Sequence, residues 1–493
     1  MIDPLYDSNH IAIYNGDALD VLKQHPDGVF DLVVTDPPYG IGFMGKDWDD
    51  FGGIASPQGA YEHVKGFTKL PRNSSAMMRE FFVPIWKECL RVMKPGAFAF
   101  VMCSPRQDVL CRQIESLEEA GFVIGFSSIY WTYSSGFPKA ANIGKKLDTR
   151  LGLEGDIVAV KKVVDVQSYG SVGDLYQQVN RLPMKEINVT TRVNEQAKEL
   201  DGSYGGFQPK PAVEVILVVM KPLSEKTYLD QALKNRKGVT WLEDGRIPMN
   251  PTDAEEHANN MGGAYERQKN WTLNDKTDET LAGGWKKPTG LPTPQVAGRF
   301  PANLLVSDDA LNDGRSIAGG QHNCPAASIY GSERGGGRAT KILTDSGSYS
   351  RYFDLDKWWE GKIEKLPSNL QDTFPFLITE KASRSEKERG LEHRPSECVN
   401  DGRDVLPDTP QQRGTTLRKN THPTVKPIKL MSYLITLGSR KNDLILDPFV
   451  GTGTLLIAAR ILNRWAVGID LGLDYCEQAI DRLSQTKRRK IGQ

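Results

Sequence analysis

The chain has 493 residues, 39% hydrophobic and 25% charged, with 62 Lys+Arg against 62 Asp+Glu. At ~100–200 residues per domain, that length allows two to four domains and a sizeable buried core. Formal neutrality gives no general attraction to nucleic acid, and no stretch approaches the ~18 unbroken apolar residues of a membrane span, so a membrane protein is not expected.

Residues 1–222 alternate between strand and helix patterns. Ile11–Tyr14 reads as a short apolar strand and Ala18–Gln24 as a helix, with Asp17 between them as an N-cap or as an acceptor for a ligand's amine. Phe30–Thr35 (FDLVVT) is a β-branched run with no helical period, which marks a strand buried on both faces. A helix over Met77–Met93, a break at Lys94-Pro95-Gly96 and a strand over Ala97–Cys103 follow. A helix at Pro105–Ala120 and strands at Phe122–Trp131 and Pro211–Met220 complete this half. Across 223–415 Gly, Asn, Pro and Trp become frequent and apolar runs shorten. From 416 the alternation resumes, with strands at Asp443–Asp447 and Trp465–Asp470 and helices at Thr454–Leu462 and Asp474–Ser484. The expected fold is α/β: one doubly wound, mostly parallel sheet built from 1–222 and 416–493, interrupted by a large irregular insertion, 223–415.

The six cysteines lie far apart with no CxxC pair, which fits reduced thiols in a cytoplasm and gives no zinc-site spacing. The opening MIDPLYDSNH lacks a basic-then-apolar leader. His422 has no second His or Cys nearby, so no metal site is expected.

Chemistry gathers where strands end. Asp36-Pro37-Pro38-Tyr39 directly follows the buried strand, and in open α/β sheets ligands sit outside the carboxyl ends of strands. Two prolines fix φ and remove two N–H donors, leaving a stiff loop rich in acceptors. A carboxylate, a proline carbonyl and an aromatic ring could grip a planar group carrying an exocyclic amine; the plain alternative is a Pro-rich turn. Asp447-Pro448-Phe449-Val450-Gly451-Thr452-Gly453-Thr454 also follows a strand and opens a helix. Its glycines allow close backbone approach to a ligand or, equally, a tight helix-packing turn. It is neither GxGxxG nor a P-loop, so phosphate binding is not implied. Asp470 ends the next strand, where an acid can accept from two ribose hydroxyls or cap a helix. Thr424 and Lys426, in Thr421-His422-Pro423-Thr424-Val425-Lys426-Pro427, could cap or neutralise a carboxylate.

DPPYG after a strand, then HPTVKP, then DPFVGTGT with GID, resembles the amino-methyltransferases that act on DNA with S-adenosylmethionine, and the motif order resembles their β class. WTYSSGFPKA (131–140), KPAVEVILVVMKPL (210–223), GRFPANLLV (298–306) and EKASRSEKERGLE (380–392) resemble phage and prophage modification methylases. The resemblance implies the methyltransferase sheet, with Asp36, Pro37, Pro38 and Tyr39 as catalytic loop. Asp447, Phe449, Gly451, Gly453 and Thr454 would line the cofactor, Asp470 its ribose, Asp17 its adenine, and Thr424 and Lys426 its methionyl end. The span 223–415 stands in for a target-recognition region.

The implied reaction is methylation of the N6 amine of an adenine flipped out of double-stranded DNA, at a flipping cost of a few kcal/mol. Stacking on Tyr39 would return ~1–3 kcal/mol of it. Cytosine N4 is the alternative acceptor; Asp, rather than the Ser of many N4-cytosine enzymes, opens the motif and leans towards adenine. Adenine in RNA is likewise the same chemistry on another acceptor, whereas a protein glutamine methyltransferase, a nicotinamide-dependent oxidoreductase and a silent DNA-binding subunit fit these motifs less well. No Pro-Cys dipeptide is present for a thiolate route to carbon-5 of cytosine, and no endonuclease constellation is recognisable, so a restriction endonuclease would be a separate chain. A homodimer stays open, and a bacterial or phage-infected cytoplasm is the expected setting. Lys145-Lys146, Arg384–Arg389 and Lys487-Arg488-Arg489-Lys490 are phosphate-contact candidates or solvated surface.

Overall fold

A computed structural model describes residues 2–40, 77–133, 142–164, 184–205, 207, 212–248, 298–307, 350, 353–365, 382, 384–399, 416–422 and 424–484. The strands in chain order are β1 (Tyr6–Ser8), β2 (Ile11–Asn15), β3 (Phe30–Thr35), β4 (Met93–Cys103), β5 (Ile129–Thr132), β6 (Ile157–Val164) and β7 (Met184–Thr190). They continue with β8 (Val213–Met220), β9 (Leu304–Val306), β10 (Glu397–Val399), β11 (Thr416–Arg418), β12 (Leu444–Asp447) and β13 (Trp465–Asp470). Nine of them form one sheet in the order β1-β2-β13-β12-β3-β4-β8-β5-β9, while β6–β7 and β10–β11 are separate hairpins. The central strands β2, β13, β12, β3 and β4 run parallel, and β8 runs antiparallel to both β4 and β5.

Side-chain alternation in β3 and β4 creates two cores. Leu32, Val34, Phe98 and Phe100 join one buried cluster, with residues of helices Ile428–Gly438, Thr454–Ile461 and Leu473–Ser484. Val33, Ala99 and Val101 join the other, with helices Ala18–Leu22, Met78–Val92 and Gln107–Ala120. A strand with helices on both faces must be apolar at consecutive positions, which is why FDLVVT is buried throughout. Helix Ile428–Gly438 is buried at every residue; most are apolar, and its one charge, Lys429, pairs with Asp356. Among the described residues no helix is long and apolar enough to cross a membrane.

Two expectations fail locally. Lys94-Pro95-Gly96 does not break the chain before β4 but lies inside it, because a register shift opposite Phe30–Leu32 absorbs the irregularity. Gly96 takes φ +77°, and a Cβ there would lie 2.8 Å from the Gly238 amide. The strand expected over Phe122–Trp131 contracts to Ile129–Thr132, and Val123 makes only an isolated bridge to Met220.

The boundaries expected at 223 and 415 do not coincide with the edge of the packed core. β9 extends the main sheet beside β5, and Trp358 and Trp359 of helix Leu355–Ile363 are buried in the first cluster. Lys237 is buried between Asp31 of β3 and Asp443 just before β12.

Candidate active site

Because β2, β13, β12, β3 and β4 are parallel, Asn15, Asp470, Asp447, Thr35 and Cys103 end at a common edge. β8 is antiparallel to β4, with Val215 opposite Cys103, so Glu214 begins at that edge too. The chain therefore brings Asp36–Tyr39 and Asp447–Thr454 together on neighbouring strands. They are tied where Thr35 Oγ1 donates to Asp447 Oδ1 at 2.7 Å, across 412 residues of sequence.

Asp447 is buried, and its Oδ1 also accepts the Phe449 amide at 3.1 Å, an Asx turn that starts the glycine loop. Burial pushes its carboxyl up to about 7, although Thr35 and the Phe449 amide favour the anion. The Phe449 ring meets Phe82 and Trp86 edge-on, which fixes it against helix Met78–Val92.

Asp36 is engaged at both oxygens. Tyr39 Oη donates to Oδ1 at 2.7 Å, and Lys426 Nζ donates to Oδ2 at 2.7 Å. Lys426 also pairs with Glu214 at 3.1 Å and lies 5.7 Å from the Tyr39 ring centroid. Burial lifts the Asp36 carboxyl above its ordinary range, against Lys426 and with Glu214. Burial works against charge on Lys426, but the two carboxylates outweigh it and hold the ammonium protonated. Tyr133 Oη donates a hydrogen bond to Glu214. Lys426, expected near a cofactor's methionyl end, is thus part of the Asp36 cluster, and the Thr424 amide donates to His422 Nδ1 at 3.3 Å.

The glycine loop is held from below. Asp470 accepts the Gly451 amide on Oδ2 and the Gly472 amide on Oδ1, both at 2.8 Å, and burial raises its carboxyl despite them. Gly451 has φ +50° and Gly453 φ +77°; a Cβ would meet His422 Nε2 at 3.1 Å in the first and Ala479 Cβ at 2.8 Å in the second. Both glycines therefore answer to packing within the chain, the second admitting helix Leu473–Ser484. Gly453 N-caps the helix that Thr454 opens. Asp17 is exposed and caps helix Ala18–Leu22 by accepting the Asp20 amide at 3.2 Å, while neighbouring Asn15 Nδ2 donates to the Asp470 carbonyl at 3.1 Å.

Sequence reasoning missed Glu214, Tyr133, Asn420, Thr452 and Arg482. Arg482 Nη1 donates to Thr452 Oγ1 at 3.1 Å and Thr454 Oγ1 at 3.3 Å, and Asn420 Nδ2 donates to Thr452 Oγ1 at 3.3 Å. One signal was readable: Arg482 stands three residues after Ala479 on the apolar face of an amphipathic helix, where a lone charge needs a buried partner. The segment with Arg384–Arg389 is not a free basic patch. Glu386 is buried and accepts the Ile428 amide at 2.7 Å, and the Lys387 carbonyl accepts from Asn420 at 2.8 Å. Lys145 and Lys146 lie on helix Ile143–Leu151; 487–490, and 134–140 of the WTYSSGFPKA stretch, lie outside the described residues.

A family model described as DNA methylase matches residues 30–481, a span that takes in both loops. The type II methyltransferase M.HpaI of Haemophilus parainfluenzae is 45% identical over 65 residues, 13% of this chain and 21% of that protein. M.HindIII of Haemophilus influenzae is 39% identical over 75 residues, 15% of this chain and 24% of that protein. The chain thus spans between about a fifth and a quarter of the length of these curated relatives. Among solved structures, PvuII DNA methyltransferase (cytosine-N4-specific) matches over 100% of this chain and 91% of that one, at 12% identity and a TM-score of 0.38.

Proposed function

The chain belongs to the N6/N4 DNA methylase family, and from that premise we propose that it transfers a methyl group from S-adenosylmethionine to the N6 amine of an adenine flipped out of duplex DNA. The observation that carries the reading is the joining of the Asp36–Tyr39 and Asp447–Thr454 loops at adjacent strand ends through Thr35 and Asp447.

The residues fit the cofactor. Asp470 already accepts two backbone amides, yet each carboxylate oxygen keeps a second lone pair for a ribose hydroxyl. Asp447, Phe449, Gly451, Gly453 and Thr454 form the turn beside it, and Asp17, which follows the next strand, would meet the cofactor's adenine. Thr424, on the segment leading to Lys426, would serve the methionyl end. When bound, S-adenosylmethionine supplies an electrophilic methyl on a sulfonium sulfur.

The acceptor side is the work of the DPPY loop. An aromatic amine is a poor nucleophile because its lone pair is delocalised into the ring. Asp36 Oδ1 and the Pro37 carbonyl accept its two N–H groups, favouring a pyramidal nitrogen, while Pro37 and Pro38 keep the loop stiff. Tyr39 releases Oδ1 when its ring takes up the flipped base, so one movement frees the acceptor and supplies the stacking surface. Recognition of the target sequence is assigned to 223–415, of which β9 joins the main sheet and helix Leu355–Ile363 packs into the core.

Incubating the full chain with labelled cofactor and unmethylated DNA, then digesting to nucleosides, tests the reading. N6-methyladenine is expected; N4-methylcytosine would move the acceptor within the family, and no transfer would overturn the proposal.

A further inference from the structure

The DPPY loop supplies one of the two carboxylates around Lys426, Asp36; the other, Glu214, comes from outside both loops. It stands on β8, opposite Trp131 of β5, a strand that belongs to neither catalytic motif. Its side chain is 17% exposed, and among the described residues Lys426 is the one cation paired with either Glu214 or Asp36. Two mostly buried acids sharing one ammonium is a costly arrangement unless the surplus charge is used, because desolvation penalises each ion.

We propose that Glu214 is a positioning residue: it holds the Lys426 ammonium between two carboxylates, so that Lys426 fixes Asp36 by Oδ2 without cancelling its negative charge and leaves Oδ1 for the amine. The inference rests on the methyl-transfer reading. With Asp36 as its sole partner, Lys426 would form a one-to-one pair and blunt the acceptor. Sharing weakens its hold on either acid, and the Tyr133 hydroxyl fixes the second acid. Asp36 thus keeps its orientation and much of its field in a site largely shielded from water.

The groups facing Asp36 are Lys426 before helix Ile428–Gly438, Glu214 on β8, Tyr39 in its own loop, Cys103 at the end of β4 and Asp447 on β12. Of these, Glu214→Gln neutralises one and leaves the others in place. Removing a like charge favours ionised Asp36, so the acidic limb of the pH–kcat profile moves to lower pH, by roughly one unit. At its plateau kcat falls about tenfold or more, because the acceptor is now fully paired, while cofactor KM changes little.

The experiment is steady-state methylation of unmethylated DNA by the full-length chain and Glu214→Gln between pH 5 and 9, with cofactor binding by calorimetry as the check on folding. A lower kcat with the limb displaced to lower pH supports the proposal. A folded variant with wild-type kcat and an unmoved limb overturns it, as does one whose whole loss lies in cofactor KM. If Glu214→Gln does not fold, Glu214→Asp keeps the charge on an arm one methylene shorter: a folded Glu214→Asp with lowered kcat and an unmoved limb supports the role, and wild-type kcat overturns it. A wild-type chain that transfers no methyl group would strike the functional reading itself, a different outcome from either.

Discussion

The two edges of the sheet carry the same device with opposite tuning. At the amino edge Lys237 lies between Asp31 and Asp443, at 2.8 and 2.9 Å. At the carboxyl edge Lys426 lies between Asp36 and Glu214, at 2.7 and 3.1 Å. The further donors differ: Asp31 has a second ammonium, Lys94, and the Leu444 amide, and Asp443 has the Arg440 amide, whereas Asp36 and Glu214 each have one neutral hydroxyl, Tyr39 and Tyr133. Burial alone would lift Asp31, but Lys237, Lys94 and the Leu444 amide hold its carboxyl below the ordinary range. Asp36 moves the other way. An acid held by two ammonium groups, as Asp31 is, ties strands together, whereas one that shares a single ammonium and is otherwise met by a neutral hydroxyl, as Asp36 is, keeps more of its charge for a ligand.

The largest effect should come from the acid with the single shared ammonium. Asp36→Ala should reduce methyl transfer by about 10³-fold or more, the scale of removing a group that acts on developing charge, while cofactor binding by calorimetry persists. An active variant would end the contrast between the edges, because Asp36 would then be structural like Asp31.

At the other edge, Lys237→Met leaves Asp31 and Asp443 without their shared cation. Removing one partner of a buried pair costs about 3–5 kcal/mol, reduced here to the extent that Lys94 still serves Asp31. Thermal unfolding should fall accordingly, and the folded fraction should keep its kcat. A stable but slow Lys237→Met would mean that the amino edge also reaches the chemistry.

Much of this was legible from the chain. Phe30–Thr35 and Trp465–Asp470 are strands at the expected residues, because runs buried on both faces must be apolar without a period. The motif order required the last third of the sequence to return beside the first, and β12 does pair with β3. Glu214 was hidden for a physical reason: in PAVEVILVVM it is a single acid in an apolar strand, and only the antiparallel reversal of β8 carries the start of that strand to the edge where Asp36 and Asp447 lie. Lys426 was found, but its partner depends on which loop faces it, and local spacing holds no such information. The KASRSEKER run looked basic, yet the buried Glu386 among its charges ties the segment to the backbone of helix Ile428–Gly438.

The glycine loop sharpens the contrast between packing and ligand binding. Gly453→Ala places a Cβ at φ +77° against Ala479 and should cost about 1–3 kcal/mol from strain and overpacking together. Ala479→Gly in the same chain should recover the overpacking share and leave the strain. If stability is unmoved by Gly453→Ala but cofactor affinity falls, close approach to the ligand, and not the helix, explains the glycine.

Asp447 offers a pH test of the seam between the loops. Its carboxyl, about 7 in the folded chain, is ~3.9 in unfolded peptides. An acid whose pKa is higher folded than unfolded adds stability that is fully present at low pH and lost as pH rises, here from about 4 to about 7. Asp447→Asn keeps an Oδ1 for Thr35 and the Phe449 amide but cannot ionise. Thermal melts without cofactor should therefore show the variant gaining on wild type across that window, and parallel curves would mean that Asp447 ionises freely.

The smallest expected effect separates a cap from a contact. Asp17→Ala removes the acceptor for the Asp20 amide at an exposed N-cap, which is worth about 0.5–1 kcal/mol. Asp17→Ser caps nearly as well but withdraws the carboxylate. If Asp17 also accepts the cofactor's adenine amine, Asp17→Ser should restore the melting temperature lost in Asp17→Ala while cofactor affinity stays reduced in both, read by calorimetry. Recovery of both quantities together would make Asp17 a cap alone, and the cofactor's adenine would then have to be gripped by neighbouring groups such as the Asn15-Gly16 turn, which is already tied to Asp470.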